Sequence, residues 1–160
     1  MRKWLSAIIV GVSLAQSVSA DDRSKVLGVW RLVSYDLEFQ DTGERRPVFG
    51  KKPVGYIVFT PEGRMIAYLE AENRKAPQNA EEQAAAYRTL HAYSGKYRLE
   101  GDKWVTKVDA AWNVSWVGTD QERFFKFDGK QLHVISQWLQ GGPQFGGRMV
   151  RGFLAWEREQ

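Results

Sequence analysis

The 160-residue chain carries 23 lysines and arginines against 19 aspartates and glutamates, no cysteine and seven tryptophans. That length suits one domain with one sizeable core, and no second domain is expected. Zero cysteines exclude a disulfide framework and thiol catalysis, and the modest net charge of +4 gives no case for nucleic acid.

The first twenty residues read as a secretory signal. Arg2 and Lys3 form a charged start, Trp4 to Leu14 is mostly apolar, and Val18-Ser19-Ala20 offers small residues to a peptidase. The apolar stretch is far short of the ~20 residues that span a bilayer, so no stable membrane anchor is expected. Cleavage after Ala20 leaves residues 21–160, starting at Asp21 and bound for the periplasm or the exterior. The segment takes two of the 23 basic residues, which leaves 21 against 19 acidic ones and a mature charge of +2.

From Lys25 onward the dominant signal is short runs rich in Val, Ile, Phe, Tyr and Trp between Gly-containing turns. Eight runs are expected as strands: Gly28 to Leu37, Gly55 to Thr60, Arg64 to Leu69, Ser94 to Leu99, Lys103 to Ala111, Gln121 to Phe127, Gln131 to Gln137 and Arg148 to Trp156. Pro61-Glu62-Gly63, Glu100-Gly101-Asp102 and Asp128-Gly129 supply hairpin turns, so neighbours in sequence are antiparallel. Asn79 to His91 breaks the pattern with a capping residue, two glutamates and an Ala-rich stretch, and predicts one helix. The preceding loop, Ala71 to Gln78, together with that helix is placed to lie across an open end. Gly141 to Gly147 reads as a flexible loop and not as a phosphate cradle, because no helix start or lysine follows it. An eight-strand meander removes its edges by closing strand eight onto strand one. The predicted fold is therefore an all-β, antiparallel, eight-stranded up-and-down barrel with one short helix between strands three and four.

Four pieces carry a family resemblance. The first strand reads Leu27-Gly28-Val29-Trp30-Arg31-Leu32-Val33-Ser34-Tyr35 and the chain ends Leu154-Ala155-Trp156-Glu157-Arg158. Between them stand Gly55-Tyr56-Ile57-Val58-Phe59-Thr60-Pro61-Glu62-Gly63-Arg64-Met65 and Ala92-Tyr93-Ser94-Gly95-Lys96-Tyr97. In this order and spacing they resemble the bacterial and fungal lipocalin-like domain family, a calycin-type barrel, over nearly the whole mature chain. Members often carry a histidine on the strand after Ala92 to Tyr97, where this chain reads Val105 to Trp112 without one. On residue chemistry alone, Gly28 permits close entry to the barrel, Trp30 plugs one end and the Arg158 guanidinium stacks on that indole, which makes the three structural.

Alternation along Gln121 to Phe127 turns Arg123, Phe125 and Phe127 inward. A hairpin centred between Trp116 and Val117 sets Asp109 nearly opposite Arg123. The pair then either orients a guanidinium toward an acidic or carbonyl-bearing ligand or forms a structural ion pair at the barrel mouth, and the two readings stand level. Tyr56, Tyr68, Tyr93, Trp112, Trp116 and Trp138 are too many for one small core to bury without some lining a cavity or its rim. Of these, Tyr56, Tyr68, Trp112 and Trp138 join Arg123 and Asp109 as candidate ligand contacts. The two histidines lack metal-site spacing, so no metal or other cofactor is expected. His133 is expected outward and His91 at the helix end, favourable to the helix dipole. The leading reading is an exported protein binding a small hydrophobic or acidic ligand in the barrel. The alternatives are a cofactor-free cyclase or isomerase, with Asp109, His91 or a tyrosine as acid or base, and an envelope protein-interaction module.

Overall fold

A computed structural model describes residues 24–159. The signal segment expected at residues 1–20 and the start at Asp21 lie outside the described residues. The long strands are β1 (Gly28–Phe39), β3 (Val54–Phe59), β4 (Arg64–Glu70), β5 (Leu90–Glu100), β6 (Lys103–Ala111), β7 (Asp120–Asp128), β8 (Gln131–Ser136) and β10 (Met149–Arg158). Each pairs antiparallel with the next, and β1 pairs with β10, so the eight close into an up-and-down barrel. Two short strands that sequence reasoning did not foresee, β2 (Arg45–Pro47) on β1 and β9 (Leu139–Gln140) on β10, thicken the wall where the barrel closes.

The helix α1 (Ala80–Arg88) lies between β4 and β5, which are the third and fourth of the long strands. Asn79 caps it by accepting the Glu82 N–H at 2.9 Å. It ends three residues short of the expected His91, because Thr89 turns its backbone N–H back to the Ala86 carbonyl and the chain enters β5 at Leu90. His91 is therefore a strand residue and not a helix-end residue. No residue of α1 is buried. The Tyr87 hydroxyl of the helix donates to the Trp112 carbonyl at 2.9 Å, and Arg74, in the loop before the helix, donates to the Ala86 carbonyl and pairs with Glu70 of β4.

Inward residues alternate along each strand and build a core that includes Trp30, Leu32, Phe59, Met65, Trp104, Leu132 and Trp156. Two bulges interrupt that alternation. On β1 the register shifts between Leu32 and Ser34, so Trp30 and Leu32 face inward before the bulge and Tyr35, Leu37 and Phe39 after it. On β6 the register shifts where Ser94 opposes Ala110 and Gly95 opposes Val108, which leaves Asp109 as the extra residue. Only glycine fits opposite that bulge, since a Cβ on Gly95 would sit 2.0 Å from the Lys107 carbonyl oxygen.

At one end the barrel is closed by Trp30, 2% exposed. Its indole N–H donates to the Val26 carbonyl at 2.8 Å, and the Arg158 guanidinium lies 4.3 Å from its ring centroid. Arg158 also donates to the carbonyls of Leu27 and Lys25, at 2.6 and 2.5 Å. Gly28 takes φ +112°, and a Cβ there would lie 2.8 Å from the Arg158 Nη1.

Candidate functional site

The other half of the barrel interior holds a cavity of about 420 Å³. Its floor is formed by the inward residues Ile57, Trp104 and Trp156. Its mouth lies among the start of β5, the β6–β7 loop and the segment between β8 and β10, where His91, Trp112, Trp116 and Phe145 stand.

Arg123 is the cavity's charged wall residue. It is 8% exposed, because β7 places it inward between Trp104 of β6 and Ser136 of β8. Its Nη1 donates to the Glu122 carbonyl at 2.7 Å, and both Nη atoms stand 3.4 Å from the Gln121 side-chain oxygen. No carboxylate among the described residues pairs with it. Its other support is aromatic, with its guanidinium carbon 5.6 Å from the Trp116 ring and 5.8 Å from the Tyr93 ring. A buried guanidinium held only by neutral groups is costly, and an anion brought to it would offset that cost.

Two neighbouring titratable groups, His91 and Tyr35, are neutral at pH 7. His91 packs among the rings of Tyr35, Phe49 and Trp112, and burial, reinforced by the Arg123 charge, lowers its pKa to about 4. Burial pushes the Tyr35 phenol up to about 12, with Arg123 pulling slightly the other way. The Ser136 hydroxyl is fully engaged, accepting the Gly152 N–H at 2.8 Å and donating to the Gln137 carbonyl at 2.9 Å. On the floor, the buried indole N–H groups of Trp104 and Trp156 find no acceptor among the described residues.

The structure gathers some of the expected contacts and disperses others. Arg123 and Trp112 line the cavity together, with Tyr93 and Trp116 beside them. Asp109 does not meet Arg123. The β6–β7 register pairs Trp104 with Arg123 and Lys107 with Asp120, so the hairpin is centred about three residues earlier than expected and its connection takes up a helical turn, Val114–Trp116. Next to inward Val108 on β6, Asp109 points outside, where it pairs with Arg64 at 2.8 Å and accepts the Ser94 hydroxyl at 2.8 Å. Tyr56 and Tyr68 face each other across β3 and β4 on the outer wall, 42% and 40% exposed, because Ile57 and Ala67 beside them take the inward positions. Trp138 follows β8 and packs under the Arg151 guanidinium at 4.5 Å, apart from the cavity lining.

Sequence reasoning missed Tyr35 and His91 as lining residues. Alternation from Trp30 sends Tyr35 outward, and only the bulge on β1 reverses it. For His91 the available signal was spacing: it stands two residues before Tyr93 and four before Gly95, on the same face of one strand.

An antiparallel eight-stranded barrel, closed at one end and holding a side-chain-lined cavity toward the other, is the calycin-type architecture, a fold suited to holding a small molecule. The sequence profile of the lipocalin-like domain family matches residues 27–159, and the chain belongs to that family. No curated protein matches the chain.

Proposed function

We propose that this is an exported protein that holds a small, mainly apolar ligand in its barrel, with Arg123 as the polar anchor. The observation that carries this reading is a buried guanidinium without a carboxylate partner in the wall of a cavity of about 420 Å³. Export rests on the signal-like composition of residues 1–20.

A cofactor-free enzyme requires an inward acid or base poised near working pH. Asp109 is on the outer wall, and His91, with a pKa of about 4, is a weak base at neutral pH. The geometry thus favours binding over turnover. Native mass spectrometry of the mature protein from its own host tests the reading: an extra mass lost on denaturation is expected. A spectrum showing only the mass of the polypeptide, together with no tryptophan quenching by a panel of fatty and aromatic acids, would overturn it.

A further inference from the structure

Rings run along one part of the cavity lining. Along β5 and the loop after β6 the lining runs ring to ring: His91 lies 4.5 Å from Trp112, Trp112 4.9 Å from Trp116 and Trp116 5.3 Å from Tyr93, centroid to centroid. This track ends at the Arg123 guanidinium. Beside the track, Ala67 and Leu69 of β4 stand opposite Tyr93 and His91 in register, and β1 and β10 add Leu37, Val150 and Leu154 together with the Tyr35 ring. The space along the track is a slot lined by rings and bordered by aliphatic side chains, with a cation in its wall.

The charges facing that slot can be counted. Arg151 stands at the mouth, and its Nε meets the Glu38 carboxylate at 2.5 Å, so its charge is compensated. His91 and Tyr35 are neutral at pH 7. Arg123 is then the single uncompensated charge among the described lining residues.

Resting on the reading above, we propose that the ligand is a flat aromatic acid with one negative charge, its carboxylate on Arg123 and its rings in the slot. A carboxylate matches the planar fork of a guanidinium. A second negative charge would be buried without a partner, and a neutral ligand would leave the guanidinium as costly as before. Rigid rings meet the aromatic wall edge-on or offset. A flexible acyl chain of similar size loses more rotamer freedom on being held.

Calorimetric titration of the mature protein with four probes tests this: biphenyl-4-carboxylate, biphenyl-4-carboxamide, biphenyl-4,4′-dicarboxylate and decanoate. The aromatic monocarboxylate is expected to bind about tenfold or more tighter than each of the others, the ratio that one charge-assisted pair supports. Arg123→Gln is expected to bring the acid down to the level of the amide with an unchanged or raised Tm, and Trp116→Leu to narrow the gap between the biphenyl acid and decanoate. An amide that binds as tightly as the acid, or a dicarboxylate or decanoate that binds more tightly, would overturn the ligand class while leaving the binding reading intact. No heat from any of the four, together with no adduct in the native mass spectrum, would overturn both.

Discussion

The two ends of this barrel use the same ingredients to opposite effect. At the closed end Arg158 sits over Trp30, and its guanidinium is occupied by the carbonyls of Leu27 and Lys25. At the open end Arg123 sits among Trp116 and Tyr93, with one good backbone acceptor, a distant amide oxygen and no carboxylate. An arginine beside aromatic rings is thus no indicator of function by itself. What separates the two is whether the protein satisfies the cation, and an unsatisfied one in a cavity wall is a place prepared for something else.

If that contrast is right, substitutions at the closed end cost stability and those at the open end cost binding. The largest effect is expected for Trp30→Ala, which removes a buried aromatic and its hydrogen bond and destabilises by about 3–5 kcal/mol in urea unfolding. Gly28→Ala follows, at roughly 1–3 kcal/mol, since φ +112° is strained for any residue with a Cβ. By contrast Arg123→Gln is expected to leave the urea midpoint unchanged or raise it, because it removes a buried charge that the protein leaves unpaired.

A smaller effect is expected from pH, and at the open end it is carried by His91. His91 has a folded pKa of about 4 against an ordinary 6.5, so between those values the unfolded chain binds the proton more readily than the folded one. Its contribution to stability is complete above pH 6.5 and is lost progressively as the pH falls to about 4. The wild-type Tm should therefore drop more steeply over that window than that of His91→Phe, and parallel curves would show that the imidazole is not held neutral. The smallest effect is expected at Asp109→Asn: its pair with Arg64 is exposed on the outer wall, so both Tm and ligand binding should stay at wild-type values.

Most of the fold was legible in the sequence. Hairpin turns at Pro61 to Gly63, Glu100 to Asp102 and Asp128-Gly129 marked antiparallel neighbours, and the alternation in β7 placed Arg123 inside. Arg123 was readable because Glu122 and Lys126 fixed the outer face of a strand without a bulge. The partner assigned to it was wrong because register across β6 and β7 depends on the length of their connection, and a helical turn there is invisible to alternation. A bulge did the rest: one extra residue near Val33 turned Tyr35 into the cavity, whereas Asp109 lies outside by plain alternation from Trp104, Thr106 and Val108. His91 was obscured differently, since an Ala-rich helix runs into β5 without a glycine or proline to mark the boundary.

The most direct test is native mass spectrometry of two variants purified side by side from the protein's own host, Arg123→Gln and Arg158→Gln. The two-ended account predicts that Arg158→Gln keeps the ligand mass carried by the wild type and that Arg123→Gln loses it. A ligand mass retained in Arg123→Gln, or lost equally from both, would contradict it.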